Sequence, residues 1–138
     1  MYLLDTCVLS ELIKPVANGN VIRWIQAQDE DCLFLSVLTL GEVQKGISKL
    51  PKSSKRVTLE AWLEEDLRGR FEGRILEVTD AVALAWGQLL GEGERKGRLI
   101  PVIDGLIAAT AAVHHLTIVS RNLIHLQPSG ATVINPWE

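Results

Sequence analysis

Three acids stand among residues that otherwise read as protein core. Asp5 closes the apolar run Tyr2-Leu3-Leu4, Glu42 interrupts Leu38-Thr39-Leu40-Gly41 before Val43, and Asp104 breaks the apolar stretch from Leu99 to Val119. Burying an unpaired carboxylate costs on the order of several kcal/mol, so each acid needs donors, a cation or a metal. If the chain folds so that the three converge, their charges repel, and one or more stays protonated unless a cation intervenes. Mg2+ or Mn2+ suits such a site, because these ions take oxygen ligands in octahedral geometry and retain several waters. An ion so placed lowers the pKa of a bound water and stabilises charge on a phosphate. The chemistry these residues suggest is therefore phosphodiester hydrolysis.

Each acid taken alone also has a structural explanation. Asp5 suits the N-cap of a following helix, a task open also to Thr6 or Ser10. Thr39-Leu40-Gly41-Glu42 fits a capping box, in which the fourth residue reaches back to the cap's amide. Asp104 falls in a first helical turn, where the helix dipole favours an anion. What separates the two readings is whether the elements bring the acids to one place.

Those elements alternate. Short apolar runs at Tyr2–Leu4, Cys32–Ser36, Arg74–Val78, Leu116–Ser120 and Ala131–Ile134 read as strands. Between them, helical periodicity predicts helices over Leu9–Lys14, Val21–Gln28, Leu38–Leu50, Ser53–Phe71, Asp80–Lys96 and Val102–His115. Pro15 and Pro51 stop two of these, and Pro101 suits a first turn. Alternating strands and helices imply βαβ units and a three-layer α/β/α sandwich around a mostly parallel sheet of four to five strands. Ligands in such sheets bind beyond the carboxyl ends of the strands, which is where Asp5 lies.

The chain of 138 residues predicts one domain, residues 1–138, and its 47% hydrophobic content is enough for a real core. A formal charge of −3 argues against broad nonspecific nucleic-acid binding, although Lys45, Lys49, Lys52, Lys55 and Arg56 cluster, as do Arg68, Arg70 and Arg74. Two widely spaced cysteines, Cys7 and Cys32, make no disulfide framework. No basic segment precedes the apolar start, and the Leu99–Val119 stretch carries Pro101, Asp104, His114 and His115, which disqualify it as a membrane span. The expectation is a soluble cytoplasmic protein. His114, His115 and His125 invite a zinc reading, but adjacent helical histidines point about 100° apart and no compact Cys/His spacing exists. Cys7 sits in an acidic setting that does not favour a reactive thiolate. The four tryptophans fall among apolar periodicities and read as core or interface anchors.

The segments YLLDTCVLSELIKP, SVLTLGEVQKGI, DGLIAATAAVHHLTIVSRN and VINPW resemble a PIN domain, and more narrowly the VapC and FitB toxins of bacterial toxin–antitoxin pairs. The resemblance spans nearly the whole chain, in order. It implies a Mg2+- or Mn2+-dependent endoribonuclease in which Asp5, Glu42 and Asp104 hold the metal. Thr6 would supply the hydroxyl that follows the first acid. It also implies a homodimer, a cognate antitoxin whose C-terminal segment fills the acidic groove, a higher-order toxin–antitoxin complex, and contact with operator DNA only through the antitoxin. Two departures stand out. Cys7 replaces a frequent asparagine, and SRNLIHL offers Asn122 and His125 where many members carry a fourth acid. Asn122 brings hydrogen bonding without charge, which weakens the case for a second metal. Asn122 and Thr6 would orient waters or phosphate oxygens, and Arg121 would offset substrate charge or pair an acid. The alternative is a weakly active PIN module whose main role is an operator-binding complex with its antitoxin.

Overall fold

The computed structural model describes all 138 residues. Five parallel strands, β1 (Tyr2–Leu4), β2 (Leu33–Ser36), β3 (Ile75–Leu76), β4 (Thr117–Val119) and β5 (Val133–Ile134), lie in the order β3-β2-β1-β4-β5. The register pairs Tyr2 with Leu33, Leu4 with Val119, Leu35 with Ile75, and Val119 with Ile134. Helices α1 (Thr6–Leu12) and α2 (Gly19–Ala27) connect β1 to β2. Helices α3 (Val37–Ser48), α4 (Ser54–Ala61) and α5 (Arg68–Arg70) lead to β3, and α6 (Asp80–Arg95) and α7 (Val102–His114) lead to β4. A short α8 (Leu123–Leu126) precedes β5.

Neighbouring strand residues face opposite layers, as the two-residue period requires. Leu4, Leu33, Leu35 and Val119 pack against Val8, Leu9, Val21, Leu40, Ile47, Leu63 and Leu67 on one side of the sheet. Leu3 and Ile118 pack against Ile107, Ala108, Ala111 and Leu126 on the other. The strands are buried on both faces, so they read as continuous apolar runs rather than alternating ones. Gly105 lets α6 and α7 approach closely: a β-carbon there would stand 3.3 Å from Trp86 and Leu90. The contact sets the first turn of α7, and with it Asp104.

Three expectations about the helices need correction. Helix α3 starts at Val37, with the Ser36 side chain accepting from the Leu38 amide at 3.1 Å, so the Thr39–Glu42 capping box does not form. Thr39 is instead fully buried, and Glu42 sits in the second turn. The helix expected over Ser53–Phe71 is interrupted by a π-helical segment, Trp62–Leu67, which turns Leu63 and Leu67 into the core. Helix α1 begins at Thr6, three residues ahead of the apolar periodicity, because Asp5 caps it.

The sheet changes winding direction between β1 and β4. Connections leave β1 toward β2 on one side and β4 toward β5 on the other, so the two strands part at their carboxyl ends and open a crevice.

Candidate active site

Asp5 extends β1 by one residue, its amide donating to the Val119 carbonyl at 3.0 Å. Its side chain is nearly buried and occupied on both oxygens. Oδ1 accepts from the Thr6 amide at 2.9 Å, and Oδ2 accepts from the Ser120 hydroxyl at 2.7 Å. The capping role expected for Asp5 is therefore real, but it uses one oxygen and leaves lone pairs facing the crevice. Ser120 is fully buried, and its oxygen also accepts from the Asn122 amide at 2.9 Å. One hydroxyl thus joins the end of β1 to the turn after β4.

The Thr6 hydroxyl donates to Glu42 Oε1 at 2.7 Å. This contact carries Glu42 from α3 toward α1. Asp104 enters from the other layer, at the start of α7. Asn122 Nδ2 lies 3.5 Å from its Oδ1, and His125 Nδ1 lies 3.8 Å from its Oδ2. Burial, and secondarily the charge of Asp5, push the Asp104 carboxyl above its ordinary pKa, while His125 pulls it back in part. The Asp104 carboxylate is thus uncomfortable when ionised, and a cation in the crevice would relieve it.

Asp5, Thr6, Cys7, Glu42, Asp104, Arg121 and Asn122 line one cavity of roughly 480 Å3. All five residues singled out as catalytic in the sequence are among them. They do not form a closed cage: no three His, Cys, Asp or Glu side chains stand close enough to grip one ion directly. The donor set is carboxylate, hydroxyl and amide oxygen around an open cavity. It fits a hard divalent ion that keeps part of its water shell.

Cys7 lies 3.4 Å from the Ser120 oxygen and 3.9 Å from Asp5 Oδ2. Burial first, and Asp5 among the lesser causes, raise its thiol above the ordinary range, as an inert packing cysteine requires. His115 adopts a left-handed conformation, φ 56°, and caps the C-terminus of α7. His114 is exposed on the same helix end, so neither histidine reaches the site. Sequence reasoning missed Ser120. The serine directly after an apolar strand, at the same sheet edge as Asp5, was the available signal.

The sequence profile of the PIN domain family matches residues 2–127. The chain is 33% identical over 138 residues to VapC ribonuclease Y4jK of Sinorhizobium fredii, covering 100% of this chain and 99% of the relative. It is 34% identical over 137 residues to Toxin FitB of Neisseria gonorrhoeae, covering 99% of each. Among solved structures, FitAB bound to an IR36 DNA fragment superposes with a TM-score of 0.94 at 33% identity, over 100% of this chain and 96% of that one.

Proposed function

This chain belongs to the PIN-domain family, in its VapC/FitB group, and from that premise we propose that it is the endoribonuclease toxin of a toxin–antitoxin pair. The observation that carries the reading is the convergence of Asp5, Glu42 and Asp104, from three separate elements, on one cavity at the switch point of the sheet.

The residues divide the work. Asp5, Glu42 and Asp104 would hold Mg2+ or Mn2+, at least one of them through water. The ion would supply Lewis-acid polarisation of the scissile phosphate and a water of lowered pKa. Ser120 and the Thr6 amide fix the Asp5 carboxylate, and the Thr6 hydroxyl fixes Glu42. Asn122 donates toward Asp104 and presents its amide oxygen for water or phosphate. Arg121 places a guanidinium on the cavity wall, where it offsets substrate charge. Catalysis is then positional and electrostatic, with water attacking in line and leaving a 5′-phosphate.

Related complexes supply the partner reading. FitAB and the Salmonella typhimurium VapBC have been solved on DNA. By extension, this chain binds a cognate antitoxin and meets operator DNA through it; the family resemblance adds a homodimer in the cytoplasm. No helix is long and apolar enough to cross a membrane. A second reading rests on Asn122 and His125, which bring no permanent negative charge to the fourth corner: a weak nuclease acting mainly through that complex. RNA cleavage by purified, antitoxin-free protein separates the two. The nuclease reading expects cleavage in Mg2+ that EDTA stops, and absence of cleavage in Mg2+ overturns it.

A further inference from the structure

Arg121 is the only basic residue lining the acidic cavity, and none of its nitrogens pairs with a carboxylate. Beside Asp5, Glu42 and Asp104, an unheld guanidinium would be expected to collapse onto one of them. Instead its Cζ lies 4.8 Å from the centroid of the Trp137 ring. Stacking of this kind stabilises the cation without consuming its donors.

Trp137 is itself fastened at several points. Its indole Nε1 donates to Glu11 Oε1 at 3.1 Å, its amide donates to Asn135 Oδ1 at 2.9 Å, and its carbonyl accepts from Asn20 Nδ2 at 2.9 Å. Glu11 is buried on α1, one helical turn and more beyond Asp5. It also accepts from Lys14 Nζ at 3.1 Å and from the Asn18 amide at 3.1 Å. The Lys14 contact foremost, then the Asn18 amide, hold its carboxyl below the usual range, so it remains an acceptor for the indole. A chain of contacts thus runs from α1 through the C-terminal tail to the cavity wall.

We propose that Trp137 is a positioning residue of the active site: anchored by Glu11, it holds the Arg121 guanidinium off the carboxylates and open to an RNA phosphate. This inference rests on the nuclease reading. Its physical content is that Arg121 binds substrate charge while Trp137 decides where the guanidinium stands. The two should act as one unit toward RNA.

The test is a double-mutant cycle in an Asp5→Asn background, read by anisotropy of a short fluorescein-labelled single-stranded RNA in Mg2+. Arg121→Ala should weaken binding by about tenfold, the size of one charge-assisted phosphate contact. Trp137→Ala should weaken it roughly fivefold, and the double variant no further than Arg121→Ala alone. Trp137→Phe, which keeps a ring face but loses the indole donor to Glu11, should fall between the parent and Trp137→Ala. In the parent, NMR should show Arg121 side-chain protons shifted upfield by the ring, and Trp137→Ala should abolish that shift. Full RNA affinity in folded Trp137→Ala, or strictly additive losses, would overturn the inference while leaving the nuclease reading intact. No RNA binding by the parent while the wild-type chain still cleaves RNA would overturn the inference alone, and absence of both would remove the nuclease reading and the inference with it.

Discussion

Replacing Ser120 with alanine removes one oxygen from the place where β1 and β4 meet. That oxygen donates to Asp5 Oδ2 at 2.7 Å and accepts from the Asn122 amide at 2.9 Å, and the side chain is fully buried. A hydrogen bond to a charged acceptor contributes about 1.5–3 kcal/mol. The Asn122 amide lies nearer solvent, so water replaces much of its lost bond and adds little. The expected destabilisation is therefore about 2 kcal/mol, or about 6–10 °C in Tm for a chain of this size. Asp5 keeps its second tether, the Thr6 amide at 2.9 Å, so the carboxylate loosens rather than swings away. Loss of such an outer contact lowers metal affinity or activity by about 10–100-fold. Calorimetry in EDTA reads the stability term, and RNA cleavage together with Mn2+ titration of the folded variant reads the site term. A Ser120→Ala protein that melts within about 1 °C of its parent and cleaves at full rate would refute the claim that Ser120 holds Asp5 in place.

Two further substitutions probe the other carboxylates. Because burial and Asp5 raise the folded pKa of Asp104 above its unfolded value of 3.8, ionising it costs stability. The cost is absent below about pH 3.8, grows as pH rises from there to the folded value, and is constant above it. Asp104→Asn should therefore melt higher than the parent near neutral pH in EDTA, and Mg2+ should raise the parent's Tm but not the variant's; a variant that melts lower in EDTA contradicts this. Thr6→Val removes the 2.7 Å donor to Glu42 and leaves the amide cap on Asp5 intact. It should cost about 1 kcal/mol of stability and reduce kcat about 10–100-fold, measured by denaturant melts and steady-state cleavage; unchanged kcat would show that Glu42 needs no tether.

The parallel sheet was legible because strands buried on both faces write themselves as short apolar runs between helical patterns, and all five appear where the runs stand. Asp5 was legible for the same reason, as a charge placed at the end of such a run. The start of α3 was not. Ser36 and Thr39 are both good caps, and only the pairing of β2 with its neighbours decides that the chain turns into helix at Val37 and buries Thr39. The π segment at Trp62–Leu67 carries no proline or glycine to announce it, and packing of Leu63 and Leu67 into the core accompanies it. Contacts between remote residues were the hardest to foresee. Ser120 meets Asp5 across 115 positions and Trp137 meets Glu11 across 126, and both depend on the β1–β4 pairing and the path of the tail.

The central claim is that the three carboxylates act together on RNA. Asp5→Asn keeps an acceptor for the Thr6 amide and removes the charge, so it should fold and melt as a native protein. Cleavage of RNA by antitoxin-free wild-type and variant protein, in Mg2+ and in EDTA, tests the claim most directly. The account predicts Mg2+-dependent cleavage by the wild type and none by folded Asp5→Asn. Undiminished cleavage by that variant would contradict it.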